Sequence, residues 1–147
     1  MPTVPAHEII RVGQIEVQFR LEASQTGGAF TMFEFRVPVA ARVPVAHSHE
    51  LFDETLFGLE GATTWAVSGE PVTLGPGDVL FIPRGAVHGF ENRGTATARG
   101  LSVITPGLLG PNFFQEIGAV VNAGGPPDIA RITQVMLRHG LRPVAAA

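Results

Sequence analysis

Apolar and polar residues alternate along most of the first 105 positions of the chain. Between Gly13 and Glu22, the apolar residues Ile15, Val17 and Phe19 are separated by polar or charged residues, which is the pattern of a β-strand with one buried face. Similar short segments follow, and turns that contain glycine or proline separate them. The predicted strands cover residues 13–22, 29–37, 43–49, 54–60, 62–67, 71–74, 78–82, 87–92 and 97–104. Short strands with frequent turns predict an all-β sandwich or barrel over about residues 9–105.

The pattern changes after Pro106, where apolar residues recur at helical spacing. We expect one helix near residues 111–123 and a second near 127–139, each ended by glycine. Each helix has one apolar face, and that face must cover the outside or the mouth of the barrel, or a partner subunit. The sequence therefore predicts one domain, with a β-barrel in residues 1–105 and a helical extension in residues 106–147 that packs on it.

Composition narrows the chemistry that the chain can perform. Its 147 residues carry a net charge of −3, and the ten arginines are scattered along the chain rather than clustered, so we expect no nucleic-acid partner. The chain contains no lysine, cysteine or tyrosine, which excludes Schiff-base chemistry, thiolate nucleophiles, thiolate metal sites and disulfides. A reactive site must therefore use histidine, carboxylate, arginine or hydroxyl groups.

The hydropathy of the chain bears on where the protein is expected. No segment approaches the roughly 20 apolar residues that a membrane-spanning helix needs. The first residues lack the charged start and apolar run of a signal peptide. We therefore expect a cytoplasmic protein that does not engage a membrane.

Two histidines that lie two positions apart are the first candidates for chemistry. On a strand, His47 and His49 face the same way and can aim both imidazoles at one point. Glu54 follows after a predicted bend, and His88 lies on another strand beyond a Pro-Arg-Gly turn. If the four groups meet, they form a nitrogen and oxygen site suited to a divalent transition metal, with positions open for water or substrate. The alternative is that these histidines are surface residues or hydrogen-bonded residues of the core.

Two segments that contain these residues resemble the motifs of the cupin family. Residues 41–61, ARVPVAHSHELFDETLFGLEG, are similar to the first motif, which is His-x-His, four residues, glutamate, six residues and glycine. Residues 77–92, GDVLFIPRGAVHGFEN, match the second motif, which is glycine, five residues, Pro-x-Gly, two residues, histidine, three residues and asparagine. Ala41 departs from the pattern, because the family has glycine there. The resemblance implies an all-β fold, the cupin double-stranded β-helix or jelly-roll barrel, followed by two short C-terminal α-helices.

The resemblance also implies a ligand set and a class of activity. The metal ligands of the family fall on His47, His49, Glu54 and His88, with Asp53 as an alternative to Glu54. The cofactor implied is one divalent transition metal, which is Fe, Mn, Ni, Co, Zn or Cu.

Several functions remain open under this resemblance. The small quercetin-dioxygenase-like cupins imply a dioxygenase-like enzyme in which the substrate chelates the metal and Glu54, if it loosens from the metal, acts as the catalytic base. A cyclase, isomerase or decarboxylase would use the same groups, and cupin barrels also serve as non-catalytic binding modules. Proteins of this kind are often homodimers, which the apolar helix faces support.

Apolar residues near the motifs predict the character of the substrate. We expect the side chains of Phe52, Leu56, Trp65, Phe81 and Phe90 to ring the site in part. Such a pocket has almost no basic charge. A neutral small molecule that is partly aromatic or apolar therefore fits better than a phosphate or a polycarboxylate.

Overall fold

A computed structural model describes residues 7–43 and 45–144 of the chain. The strands are β1 (Ile9–Val12), β2 (Ile15–Leu21), β3 (Thr31–Val37), β4 (His47–His49), β5 (Asp53–Glu60), β6 (Thr63–Val67), β7 (Glu70–Leu74), β8 (Val79–Ile82), β9 (His88–Glu91), β10 (Ala98–Thr105) and β11 (Leu141–Pro143). The α-helices are α1 (Pro111–Val121) and α2 (Ile129–Arg138), and a short 3-10 helix covers Ala23–Gln25.

The strands form two antiparallel sheets in the described part of the chain. One sheet has six strands in the order β1-β2-β3-β10-β5-β8, and the other has five in the order β11-β4-β9-β6-β7. Several neighbours are distant in sequence, such as β3 beside β10 and β4 beside β11, which is the connectivity of a jelly roll. The predicted all-β fold with two C-terminal helices is therefore confirmed.

Alternation along the strands decides which side chains enter the space between the sheets. On β10, every second residue from Ala98 to Ile104 is buried, whereas Arg99, Leu101 and Val103 between them are partly exposed. The rings of Phe19 and Phe33 meet in the same space with their centroids 5.1 Å apart. Removal of these apolar surfaces from water stabilises the barrel.

The two helices pack their apolar faces on the barrel. Phe113 and Ile117 of α1 and Ile132 of α2 are buried. Helix α1 lies so close to β1 that a Cβ atom at Gly118 would lie 2.5 Å from the carbonyl oxygen of Arg11. Because the apolar faces of both helices are covered within the chain, they do not support a homodimer, and the homodimer stays a prediction.

No helix in the described residues is long and apolar enough to cross a membrane.

The C-terminal segment contains a strand that the sequence analysis does not predict. Gly140, with a φ of 80°, turns the chain from α2 into β11, where Leu141 lies opposite His49 of β4. Three residues that include a proline are too few to show an alternating pattern. Strand β4, which carries two candidate ligands, is thus paired on one side with β9 and on the other with β11.

The strand predicted over residues 43–49 is shorter than expected. Strand β4 covers His47–His49, and Val43, Val45 and Ala46 lie outside it. Just before β4, the chain pairs with β9 through an isolated β-bridge between Arg42 and Glu91 instead.

Candidate metal centre

Three histidines from two neighbouring strands meet inside the barrel. His47 and His49 lie on β4, and His88 lies directly opposite His47 on β9. Each offers one ring nitrogen, and these nitrogen atoms lie within 4.8 Å of one another. The ring centroids are 5.2 Å apart for His47 and His49, 4.7 Å for His47 and His88, and 4.5 Å for His49 and His88. The cluster can hold one metal ion.

Backbone carbonyl groups determine which ring nitrogen of two histidines carries the proton. Nδ1 of His47 lies 3.0 Å from the carbonyl oxygen of Val45, and Nδ1 of His88 lies 3.0 Å from that of Ala86. Because a carbonyl oxygen only accepts hydrogen bonds, each Nδ1 donates and each Nε2 keeps its lone pair. Metal-binding histidines commonly make this bond with their other ring nitrogen. Nδ1 of His49 is buried and has no hydrogen-bond partner among the described residues, which fits a site built to take a ligand.

Burial keeps two of the histidines neutral. Loss of solvation and, to a smaller extent, repulsion from His88 lower the pKa of His47 from 6.5 to about 4. The pKa of His49 is lowered to about 2 by burial, by His88 and by His47. Both rings are therefore neutral at neutral pH, which is the form that binds a metal.

Glu54 reaches the cluster from the opposite sheet. It lies on β5 with 7% of its surface exposed, and its Oε1 is 3.7 Å from Nε2 of His88. Its Oε2 accepts a hydrogen bond from the hydroxyl group of Ser102 on β10. Burial raises the pKa of the Glu54 carboxyl group, although His88 and Ser102 act in the other direction. The structure thus brings the carboxylate of Glu54 next to His88, one of the three clustered imidazoles.

Asp53, the alternative ligand, pairs with Arg84 and not with the histidines. Its carboxylate accepts a hydrogen bond from the backbone N–H of Arg84 at 2.8 Å and two more from the guanidinium group at 3.2 Å. Those hydrogen bonds hold the pKa of Asp53 below its usual value. Neighbouring residues on a strand face opposite sides, so Asp53 points away when Glu54 points in. The structure therefore contradicts Asp53 as a ligand and explains the residue as an anchor for the turn before His88.

A largely apolar cavity adjoins the histidines. Its volume is about 100 Å³, and both sheets and both α-helices contribute to its wall. Among the described residues of the wall, the ionisable ones are His47, His49, Glu54 and His88. An apolar substrate body can therefore lie beside a polar end that contains all of the candidate ligands.

The cavity wall includes part of the pocket that the sequence predicts. Leu56, Trp65 and Phe90 line the cavity. Phe52 is fully buried, and its ring centroid lies 4.6 Å from that of His49, but it packs behind the histidine rather than in the wall. Phe52 therefore supports a candidate ligand without facing the cavity.

The expectation that Phe81 lines the pocket is wrong. Its side chain is 56% exposed, and Val79 on the same face of β8 is also exposed, whereas Ile82 is fully buried. Because both faces of β8 carry apolar residues, alternation alone does not show which face points inward. Phe81 lies on the outer face of the six-stranded sheet.

Other residues of the site were not predicted from the sequence. Ser102 is fully buried beside Glu54. The sequence held one sign of this position, because Ser102 is a polar residue on the inward face of β10, where the other inward residues are apolar or small. Phe113 and Met136 line the cavity from the two helices. No local pattern places a helix residue at a particular cavity, because that depends on how the helix docks.

Trp65 gives the site an internal reporter. It is the single tryptophan of the chain, and it lines the cavity. Its Nε1 donates a hydrogen bond to the hydroxyl group of Thr63 at 2.8 Å, and its ring centroid is 6.3 Å from that of His88. Fluorescence of Trp65 should therefore respond to a metal or ligand in the site.

The barrel matches a known family. Residues 33–104 match the family described as the Cupin domain, and this segment contains all four candidate ligands. The chain belongs to the cupin family.

Two curated relatives are similar to the chain. It is 36% identical over 101 residues to quercetin 2,3-dioxygenase of Bacillus subtilis (strain 168), which covers 67% of this chain and 29% of that protein. It is 40% identical over 89 residues to the tetracenomycin polyketide synthase protein TcmJ of Streptomyces glaucescens, which covers 56% of this chain and 57% of that protein. The chain thus spans less than a third of the first relative and just over half of the second.

A solved structure agrees in fold. The crystal structure of a protein described as a predicted oxalate decarboxylase, from Thermotoga maritima, superposes with a TM-score of 0.61 at 25% identity, over 69% of this chain and 93% of that one. The names of the three proteins refer to different activities. The similarity therefore identifies the fold and the family rather than one reaction.

Proposed function

We propose that this cupin is a divalent-metal-dependent enzyme that acts on a small oxygenated substrate, aromatic or enolisable, in a dioxygenase-like reaction. One observation carries the proposal, which is that His47, His49, His88 and Glu54 come together at the wall of an otherwise apolar cavity. The similarity to quercetin 2,3-dioxygenase of Bacillus subtilis supports the reaction class.

The residues present fit a divalent transition metal. His47 and His88 would bind it through Nε2, His49 through a ring nitrogen and Glu54 through a carboxylate oxygen. This donor set suits Fe, Mn, Ni, Co, Zn or Cu. When bound, the metal supplies Lewis acidity and, in its redox-active forms, the capacity to react with O2.

Glu54 is the group that we propose moves a proton. Burial raises the pKa of its carboxyl group, so the carboxylate takes up a proton more readily than an exposed glutamate does. Ser102 donates its hydrogen bond to Oε2, which leaves Oε1 directed towards His88. Once it is released from the metal, Oε1 is therefore the atom that would accept the proton of a substrate hydroxyl group.

The apolar wall would orient the substrate and exclude water. A substrate whose oxygen atoms meet the histidines has its carbon skeleton beside Leu56, Trp65 and Phe90. Burial of that skeleton contributes binding free energy, and the absence of water strengthens the electrostatic interactions of Glu54.

A second candidate reaction uses the same base. If Oε1 of Glu54 takes a proton from a carbon atom next to a carbonyl group, the site supports cyclisation or isomerisation instead of O2 insertion. In a decarboxylation, the protonated Glu54 would instead give its proton to the carbon atom that loses CO2. The similarity to TcmJ, a polyketide synthase protein by name, favours this candidate.

Oxygen uptake tests the proposal. The protein is loaded in turn with Fe, Mn, Ni, Co and Cu, and O2 consumption is followed with catechol and with a flavonol. We expect uptake with at least one metal, loss of that uptake in Glu54→Gln, and retention in the neighbouring control Asp53→Asn. Exchange of solvent deuterium into an enolisable ketone without O2 uptake would support the second candidate. Ligand binding with neither reaction would replace both with a non-catalytic binding module.

A further inference from the structure

Part of the cavity wall comes from chain that follows the family match. The matched segment ends at residue 104, and the residues beyond it supply six lining side chains. These are Leu109, Phe113, Phe114, Ile117, Met136 and Leu141. All six are apolar, so the C-terminal segment contributes shape and apolar surface but no polar group.

Hydrogen bonds fix this wall to the barrel at both ends of α1. The hydroxyl group of Thr31 donates to the carbonyl oxygen of Leu109 at 2.8 Å. At the other end, the side-chain amide of Asn122 donates to the carbonyl oxygen of Arg11 and accepts from the N–H of Gly13, both at 2.8 Å. These hydrogen bonds use backbone and polar groups rather than the apolar side chains of the wall, and they hold α1 against the barrel.

Phe114 joins the helix to the inner surface of the barrel. Its ring centroid lies 5.8 Å from that of Phe19, 5.0 Å from that of Phe33 and 5.0 Å from that of Phe113. Close aromatic packing of this kind leaves little free space. The position of Phe114 therefore limits the size of the cavity.

The volume of the cavity restricts what it can hold. The cavity measures about 100 Å³. An apolar cavity of roughly 150 Å³ holds one benzene ring. The cavity is smaller than that, so a single ring is the upper limit, whereas a flavonol with its additional rings exceeds it.

Charge restricts the substrate further. In the described part of the wall, the ionisable groups all lie at the histidine end, and no arginine is present. A carboxylate or phosphate placed against the C-terminal wall would be buried without a partner, which costs binding free energy.

We propose that the segment from Leu109 to Leu141 determines substrate specificity, and that it admits an uncharged molecule of about one ring with its apolar end against the helices and its oxygen atoms towards the histidines. This inference rests on the proposed function, because it assigns the oxygen atoms of the substrate to the metal-binding end.

Binding to the zinc-loaded protein tests the inference without turnover. Zinc does not change its oxidation state, so the probes are not consumed. The probes are catechol, 4-methylcatechol, 3,4-dihydroxybenzoate and quercetin, their dissociation constants are measured by calorimetry, and quenching of Trp65 fluorescence reports that they occupy the cavity. We expect both uncharged catechols to bind at least about 10-fold more tightly than the other two probes, a difference of about 1.4 kcal/mol in the free energy of binding.

Matched variants connect this preference to the wall. Phe114→Ala should enlarge the cavity, because a large side chain is removed. The ratio of the dissociation constants of quercetin and catechol should therefore fall at least about 10-fold. Phe114→Leu should act in the same direction by a smaller factor, and it carries the test if the alanine variant does not fold. Phe81→Ala removes the same side chain on the exposed outer face and should leave all four affinities unchanged.

Each outcome separates the inference from the proposed function. Equal binding of quercetin and catechol to the wild type, or an unchanged ratio in both Phe114 variants, overturns the inference and leaves the proposed function in place. The expected preference without O2 uptake under any metal supports the inference and overturns the dioxygenase-like proposal. If no catechol binds the zinc-loaded protein, both are overturned.

Discussion

The hydroxyl group of Ser102 donates a hydrogen bond to Oε2 of Glu54, between the neighbouring strands β10 and β5. Ser102 is fully buried, and Glu54 is nearly so. A buried carboxylate that lost this donor would have one oxygen atom without a partner. The serine therefore fixes the direction of the candidate ligand and of the proposed base.

Ser102→Ala should weaken metal binding without unfolding the barrel. Loss of a hydrogen bond to a metal ligand commonly lowers metal affinity by about 10- to 100-fold, and we expect a decrease in that range. Competition with a chromophoric chelator measures the affinity. Ser48→Ala, at another buried serine, is the matched control and should keep wild-type affinity. Equal affinity in wild type and Ser102→Ala would show that the hydrogen bond does not position Glu54.

Substitutions at positions 53 and 54 should show which of the two neighbouring carboxylates binds the metal. Asp53→Asn should keep stoichiometric metal, because Asp53 pairs with Arg84 and not with the histidines. Glu54→Gln should reduce metal affinity by about 10-fold or more, because a charged oxygen donor is lost. Metal analysis after dialysis measures both. The reverse order of effects would restore Asp53 as the ligand.

Acid should destabilise the metal-free protein through its buried histidines. The unfolded chain takes up protons on these residues near pH 6.5, but the folded chain does not until about pH 4 at His47 and about pH 2 at His49. Since the unfolded state binds more protons in that window, the free energy of unfolding falls as the pH drops from 6.5 to about 4.

Denaturant unfolding at several pH values measures this loss. Glu54 has a raised pKa and acts in the opposite direction, so the comparison is made in the Glu54→Gln background. Adding His49→Ala should reduce the loss of stability in acid. An identical pH dependence with and without His49 would contradict the assignment.

The close approach of α1 to β1 makes Gly118 sensitive to substitution. Gly118→Ala places a Cβ atom 2.5 Å from the carbonyl oxygen of Arg11, so the helix must move away. We expect a loss of about 1–3 kcal/mol in the free energy of unfolding, as for other overpacked positions. Gly110→Ala is the control, because nothing lies within 4 Å of a Cβ atom there. Thermal unfolding compares the two, and equal effects would rule out the close contact.

The sequence predicts the fold class and the candidate ligands for identifiable physical reasons. The two-residue period of a strand places His47 and His49 on one face, and the resemblance to two family motifs points to Glu54 and His88. Both kinds of information are local, so they can be read without knowing which strands pair.

The remaining parts of the site depend on contacts between distant segments. Ser102 reaches Glu54 because β10 pairs with β5, and Phe113 reaches the cavity because α1 docks on the barrel. Phe81 was misplaced because β8 is apolar on both faces, and Leu141 was missed because β11 is very short. Neither the pairing of distant strands nor the docking of a helix is encoded in a local pattern.

The metal content of wild type and His49→Ala tests the central claim most directly. The protein is exposed to a divalent transition metal, dialysed, and measured by elemental analysis, with His139→Ala as a control because His139 pairs with Glu116 away from the cluster. We predict one metal ion per chain in the wild type and the control, and none in His49→Ala, with all three proteins folded by circular dichroism. Stoichiometric metal in folded His49→Ala, or no metal in the wild type, would contradict the claim that these histidines form a metal centre.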